Sequence, residues 1–208
     1  MRIAPEGKPF ILTAAVIGIL LIALGWFVTA SLWALITVWV VAFFRDPVPR
    51  EGAPENAVLA PADGKVVSII ETDEPAFFGE RAVRISIFMN VFDCHVNRYP
   101  CDGVVAYRHY NAGHFGHAAA EKASLENEQA SVGLETSRGK VLIRQIAGLV
   151  ARRIVTDHPV GTPVRRSARL GMIRFGSRVD LFLPRATPVR VKVGDHTRVA
   201  DTVVAEWA

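Results

Sequence analysis

The sequence predicts a mainly β domain, a sandwich or flattened barrel, carried behind an N-terminal transmembrane helical hairpin. Three observations lead there. Residues 10–44 are thirty-five consecutive positions without a charge. From residue 57 onward, short apolar runs recur roughly every ten residues, bounded by Gly, Pro and Asp turn signals. Few stretches of that region carry the 3.6-residue period of a helix. A chain of 208 residues accommodates an anchor and one modest domain. The division falls at 1–50 for anchor and Pro-rich linker and at 51–208 for the β-rich domain.

The apolar run comes first. It is too long for a secretory signal, whose core is ~7–15 residues, and too long for one upright span of about 20. Gly25-Trp26 and the nearby Thr29 and Ser31 provide a break that yields two halves of about seventeen residues, hence a hairpin. Cations flank both ends: Arg2 and Lys8 before, Arg45 and Arg50 after. The positive-inside rule then keeps both ends, and the β domain with them, on the cytoplasmic face of the cell's inner membrane. Trp26, Trp33 and Trp39 suit interface anchors. Residues 45–54 hold Pro47, Pro49 and Pro54 and read as a stiff exit linker.

In the β domain, residues 58–70 read as strand, turn, strand, with Asp63-Gly64 as the turn. Residues 81–89, 104–110, 139–146 and 151–156 read as further strands. Residues 118–128 form a short helix or an ordered loop. Residues 189–206 read as a hairpin around Gly194-Asp195 and look like the half-motif of lipoyl-type flattened barrels.

The net charge of +4 and a pI near 9.4 suit an anionic surface. The basic residues occur singly or in pairs such as Arg152-Arg153, with no run interleaved with aromatics, so no nucleic-acid partner is expected and an anionic lipid leaflet is. Cys94 and Cys101, spaced C-x6-C, match neither a redox nor a zinc motif and read as reduced thiols.

Several residues have the chemistry to react. Asp63 is a turn residue that also places a carboxylate at a strand end, poised to orient a histidine. Strand alternation puts Asp93, His95 and Asn97 on one face, where a carboxylate raises the basicity of His95. His109, His114 and His117 invite a metal site, but no Cys, H-x-H or HExxH accompanies them, and no metal is expected. Ser177 fails the G-x-S-x-G elbow of a hydrolase, standing in Phe175-Gly-Ser-Arg-Val179. Preceded by the unhindered Gly176, its hydroxyl has another reaction open, attack on the preceding carbonyl with an N-to-O acyl shift. Elimination then leaves dehydroalanine, which hydrolyses to a pyruvoyl group able to form a Schiff base with an amine and to act as an electron sink.

The order and spacing of Pro61-Ala-Asp-Gly64, Phe88-Met-Asn-Val-Phe-Asp-Cys-His95, Tyr110-Asn-Ala-Gly113, Ala123-Ser-Leu-Glu-Asn-Glu128 and Phe175-Gly-Ser177 closely resemble the phosphatidylserine decarboxylase family in its short, membrane-anchored form. The resemblance covers residues 61–204. It implies a proenzyme that cuts itself between Gly176 and Ser177 and decarboxylates phosphatidylserine to phosphatidylethanolamine. The products are a β chain of 1–176 and an α chain of 177–208 that stay associated, with a pyruvoyl cofactor made from Ser177. It implies catalytic roles for Ser177, His95 and Asp63, and Asn127, Glu128 and Arg98 are candidate substrate-binding residues. Two positions depart from the pattern of longer relatives: Phe-Gly-Ser-Arg replaces Leu-Gly-Ser-Thr, and Arg98 stands where a second histidine is usual. Arginine is not a base near neutral pH, so the base for self-cleavage is either His95 with Asp63 or a residue that the sequence does not single out. A homo-oligomer is compatible with the sequence. A tethered β-barrel adaptor and a zinc peptidase are the alternatives from other classes.

Overall fold

The computed structural model describes residues 2–50, 52–113, 127–148, 154–174 and 177–207. The chain forms two compact units, Met1–Val48 and Pro49–Ala208.

In the first unit, strand β1 (Arg2–Ile3) leads into helix α1 (Lys8–Ala23), a three-residue turn at 24–26, helix α2 (Phe27–Phe43) and strand β2 (Arg45–Asp46). The break falls at Gly25, whose φ of 75° suits glycine. Thr29 and Ser31, taken from sequence as part of the break, lie inside α2. Strands β1 and β2 pair antiparallel, with Arg2 opposite Asp46, so the linker begins with a short strand. The Trp33 indole donates to the Ala14 carbonyl at 2.7 Å, tying α2 to α1. The stretch Pro5–Ala23 is long and apolar enough to cross a membrane, whereas Phe27–Phe43 is a shorter apolar helix.

The second unit is mainly β. Its strands are β3 (Ala57–Leu59), β4 (Gly64–Glu74), β5 (Glu80–Met89), β6 (Val96–Arg98), β7 (Gly103–Asn111), β8 (Gln129–Thr136), β9 (Gly139–Ala147), β10 (Ile154–Thr156), β11 (Pro163–Val164), β12 (Arg169–Ile173), β13 (Ser177–Pro184), β14 (His196–Thr197) and β15 (Val203–Glu206). An eight-stranded antiparallel sheet runs β11-β7-β8-β9-β13-β5-β4-β14 and curls into a half-barrel. A three-stranded sheet β10-β12-β6 and the pair β15-β3 complete the unit.

Strand alternation sorts the long sheet into two faces. Val179, Leu181 and Leu183 of β13 join Ile85, Ile87, Met89, Ile143 and Ala147 in the main core. Arg178, Asp180 and Phe182 point to the opposite face. There Phe182 packs with Phe78, Ala82 and Leu142, and the Arg144 guanidinium lies 4.9 Å from the Phe182 ring centre. Glu74 stabilises this face by pairing with Arg144 at 2.9 Å and accepting the Phe77 and Phe78 N–H groups.

The expected hairpin at 189–206 takes a different form. Strand β14 pairs with β4 and strand β15 with β3, and the segment also closes on itself where residues 188–190 run antiparallel to 204–206. Residues 118–126 lie outside the described residues; Asn127 and Glu128 are not helical.

Candidate active site

The antiparallel register brings the candidate residues to one end of the sheet. Strands β5 and β9 finish there at Met89 and Ala147. Both are direct partners of Ser177, the first residue of β13. Strand β4 starts at the same end, because Lys65 lies opposite Phe88. So does β8, with Gln129 opposite Ile146. Asp63 precedes β4, and Asn127 and Glu128 precede β8. Motifs up to 114 residues apart in sequence therefore meet.

Ser177 is fully buried on the core face, and its hydroxyl has no hydrogen-bond partner among the described residues. An unmet buried hydroxyl costs about 1–3 kcal/mol. The preceding residue, Gly176, lies outside the described residues, as does Phe175. Asn127 is buried and donates from Nδ2 to the carbonyl of Ala147 at 2.8 Å, directly beside Ser177. Glu128 is buried too, and its Oε1 accepts the Tyr110 hydroxyl at 2.8 Å. That bond to the Glu128 carboxylate raises the Tyr110 pKa. Gly113 holds this corner: its φ is 40°, and a Cβ there would overlap the Asn127 carbonyl.

His95 is buried. Its Nδ1 lies 3.1 Å from the Asp93 carbonyl oxygen, which can only accept. That contact selects the tautomer with the proton on Nδ1 and leaves Nε2 with the basic lone pair. Its own carbonyl accepts the Ile173 N–H at 3.3 Å, which sets it beside the strand leading to residue 177. Residues 90–95 form a turn rather than a strand, so alternation does not place Asp93 with His95. The Asp93 carboxylate accepts the Asn90 N–H at 2.8 Å and so caps that turn.

Asp63 acts on the backbone. Its Oδ2 accepts the Cys94 N–H at 3.2 Å and its Oδ1 the Val199 N–H at 2.7 Å. One carboxylate thus fastens the residue next to His95 to the C-terminal segment. Gly64 must follow it, since φ is 142° and a Cβ would strike the Phe88 carbonyl. Arg98 is largely buried and donates from Nη1 to the Ser167 carbonyl at 2.8 Å.

Sequence reasoning missed Gln145. It is fully buried, donates from Nε2 to Asn97 Oδ1 at 2.8 Å, and lies opposite Val179. It therefore shares the inner face with Ser177 on a neighbouring strand. Asn97 in turn donates to the sulfur of Met89 at 3.6 Å, and Met89 is opposite Ser177. An amide pair thus stands next to the serine. Only a Gln at an inward strand position signalled it, and that signal needs the strand register to be read.

Cys94 and Cys101 are free and buried. Burial first, then the Asp102 charge, pushes the Cys101 thiol up to about 12, which keeps it protonated and unreactive. Among the described residues no three His, Cys, Asp or Glu side chains converge as a metal site. His114 and His117 lie outside those residues, and His109 stacks on Tyr107 with ring centres 6.4 Å apart.

Residues 36–205 match the phosphatidylserine decarboxylase family. A phosphatidylserine decarboxylase proenzyme from Burkholderia vietnamiensis is 46% identical over 205 residues, covering 98% of this chain and 95% of that protein. Proenzymes of the same name from Burkholderia lata and Burkholderia multivorans are also 46% identical, with the same coverage.

Proposed function

This chain belongs to the phosphatidylserine decarboxylase family, and from that premise we propose that Ser177 is where it cuts itself and where its reactive carbonyl then stands. The overall reaction is the family's: phosphatidylserine loses CO2 to give phosphatidylethanolamine. The observation that carries the assignment to Ser177 is its buried hydroxyl, without a partner among the described residues, at the sheet end where His95, Asp63, Asn127 and Glu128 also lie.

In the self-cleavage, the Ser177 Oγ attacks the Gly176 carbonyl carbon while His95 Nε2 takes the hydroxyl proton. The peptide C–N bond breaks, the Ser177 nitrogen receives that proton, and an ester replaces the amide. Loss of the Ser177 Cα proton expels the Gly176 carboxylate from Cβ and leaves dehydroalanine. Water then takes the nitrogen away as ammonia and leaves a ketone. The site suits that product, because the serine hydroxyl that has no partner there leaves with the Gly176 carboxylate and Cβ becomes an apolar methyl group.

The pyruvoyl group supplies a carbonyl that captures the headgroup amine and an acceptor for the electron pair left when CO2 departs. The chain's own residues do the rest. Asp63 holds the backbone beside His95. His95 delivers a proton to the headgroup carbon that has lost its carboxylate. Asn127 and Glu128 bound the space around residue 177, and Arg98 braces the strand beside His95.

The α chain of 177–208 stays bound because β13 lies between β9 and β5 and hydrogen-bonds to both. The two helices of the first unit insert together as a hairpin from the cytoplasmic face, keeping the second unit at the leaflet that holds the substrate. Replacing Ser177 with Ala tests the assignment. The variant is expected to remain one chain of 22.7 kDa and to release no CO2 from phosphatidylserine. Persistent cleavage would move the site elsewhere.

A further inference from the structure

The turn between β5 and His95 carries two exposed apolar side chains that the chemistry at Ser177 does not use. Phe92 is 72% exposed and Val91 38%. The turn itself is stiff. The Phe92 N–H donates to Asn90 Oδ1 at 2.8 Å, the Asn90 N–H to Asp93 Oδ2 at 2.8 Å, and the Asp93 N–H to the Asn90 carbonyl at 3.0 Å. Three hydrogen bonds in four residues fix the turn that carries this exposed aromatic ring. A third apolar group, Tyr110, is 59% exposed at the end of β7, and its hydroxyl is bonded to Glu128. An aromatic body with a satisfied polar tip suits a membrane interface.

We propose that this end of the sheet, with Phe92 and Val91 on the turn after β5 and Tyr110 at the end of β7, is a bilayer-docking surface that seats the site among lipid headgroups. The proposal rests on the reading of Ser177 as the reactive residue. Three arguments fix the occupant as a lipid surface. The substrate's reacting amine and carboxylate sit at headgroup depth while its acyl chains remain in the bilayer, so the site must reach that depth. The turn runs from Met89, opposite Ser177, to His95 three residues beyond Phe92, so a docked Phe92 sets the site at the interface. Lys65 and Arg198 are exposed at this same end, where β14 pairs with the start of β4, and they suit an anionic leaflet. The nearby acids are engaged: Asp63 accepts two backbone N–H groups, and Asp195 accepts that of Lys192.

The test uses the full chain reconstituted in bilayers of phosphatidylcholine and phosphatidylglycerol, which offer an anionic surface without substrate. A Phe92→Cys variant carries a bimane fluorophore, and a spin-labelled lipid with its nitroxide close to the headgroup serves as quencher. The native thiols are buried and leave the introduced one to react. Val160→Cys is the control, since Val160 is 57% exposed and lies by the opposite end of β7. Quenching at position 92 is expected to exceed that at 160 by about twofold or more. Equal quenching overturns the proposal, whether the label lies in water or against a second copy of the chain.

A second arm uses Phe92→Asp. Intact mass should show the same chains as the parent, which keeps a failure of docking distinct from a failure of the Ser177 assignment. Decarboxylation of phosphatidylserine in bilayers should fall about tenfold, while that of a short-chain monomeric phosphatidylserine stays within about twofold. Equal losses on both substrates, or none on either, would overturn it.

Discussion

The role we propose for His95 rests on a backbone contact. Its Nδ1 faces the Asp93 carbonyl at 3.1 Å, which leaves the basic lone pair on Nε2. Glutamine at position 95 fills similar space but has no basic nitrogen. The His95→Gln variant should therefore lower either the rate of self-cleavage or the turnover of the cleaved enzyme by about 10²–10⁴-fold. Time-resolved gel analysis and CO2 release report the two separately, and parent rates in both would remove His95 from the mechanism. Ser177, His95 and Asp63 were legible in the sequence as candidates because their residue types and order carry the signal. The route by which Asp63 acts was not. It grips the N–H groups of Cys94 and Val199, and a backbone donor leaves no mark on residue identity. Gln145 was hidden for a related reason, since only the register of β9 against β13 reveals its proximity to residue 177.

Among the elements, β13 carries the most. Its start presents Ser177 to the core, and its opposite face carries Arg178 and Asp180, a buried pair joined at 2.9 Å through Nε and at 3.0 Å through Nη2. Spacing of two residues puts both on one side of the strand. Replacing Asp180 with Leu alone leaves the Arg178 charge in a buried place without this carboxylate and should cost about 3–5 kcal/mol. The double change Arg178→Met with Asp180→Leu should restore most of that loss in a thermal melt. If the single variant melts with the parent, the pair does not stabilise the strand. The strands themselves were legible, since β4, β5, β7 and β9 follow runs of β-branched and apolar residues closed by turn signals. In the C-terminal segment residues 188–190 pair antiparallel with 204–206, while the partners of β14 and β15 in β4 and β3 were not legible. Strands as short as His196–Thr197 are chosen by tertiary contacts, and local pattern carries little information about them.

At the scale of the molecule, the chain has an apolar N-terminal unit and a mainly β unit, to which we assign localisation and chemistry respectively. The two-part organisation was readable from composition, because an uncharged run of thirty-five residues has few other uses. The account makes cleavage compatible with a folded product. The bond before Ser177 precedes a strand held by β5 and β9 over its length, so cutting it frees a chain end without removing a strand from the sheet. The two chains should therefore copurify and separate only on denaturation. The most direct measurement is the intact mass of the denatured, active full-length protein. The account predicts two chains, residues 1–176 and residues 177–208, the smaller with a blocked N-terminus. A single uncut chain of 22.7 kDa that still releases CO2 from phosphatidylserine would contradict it.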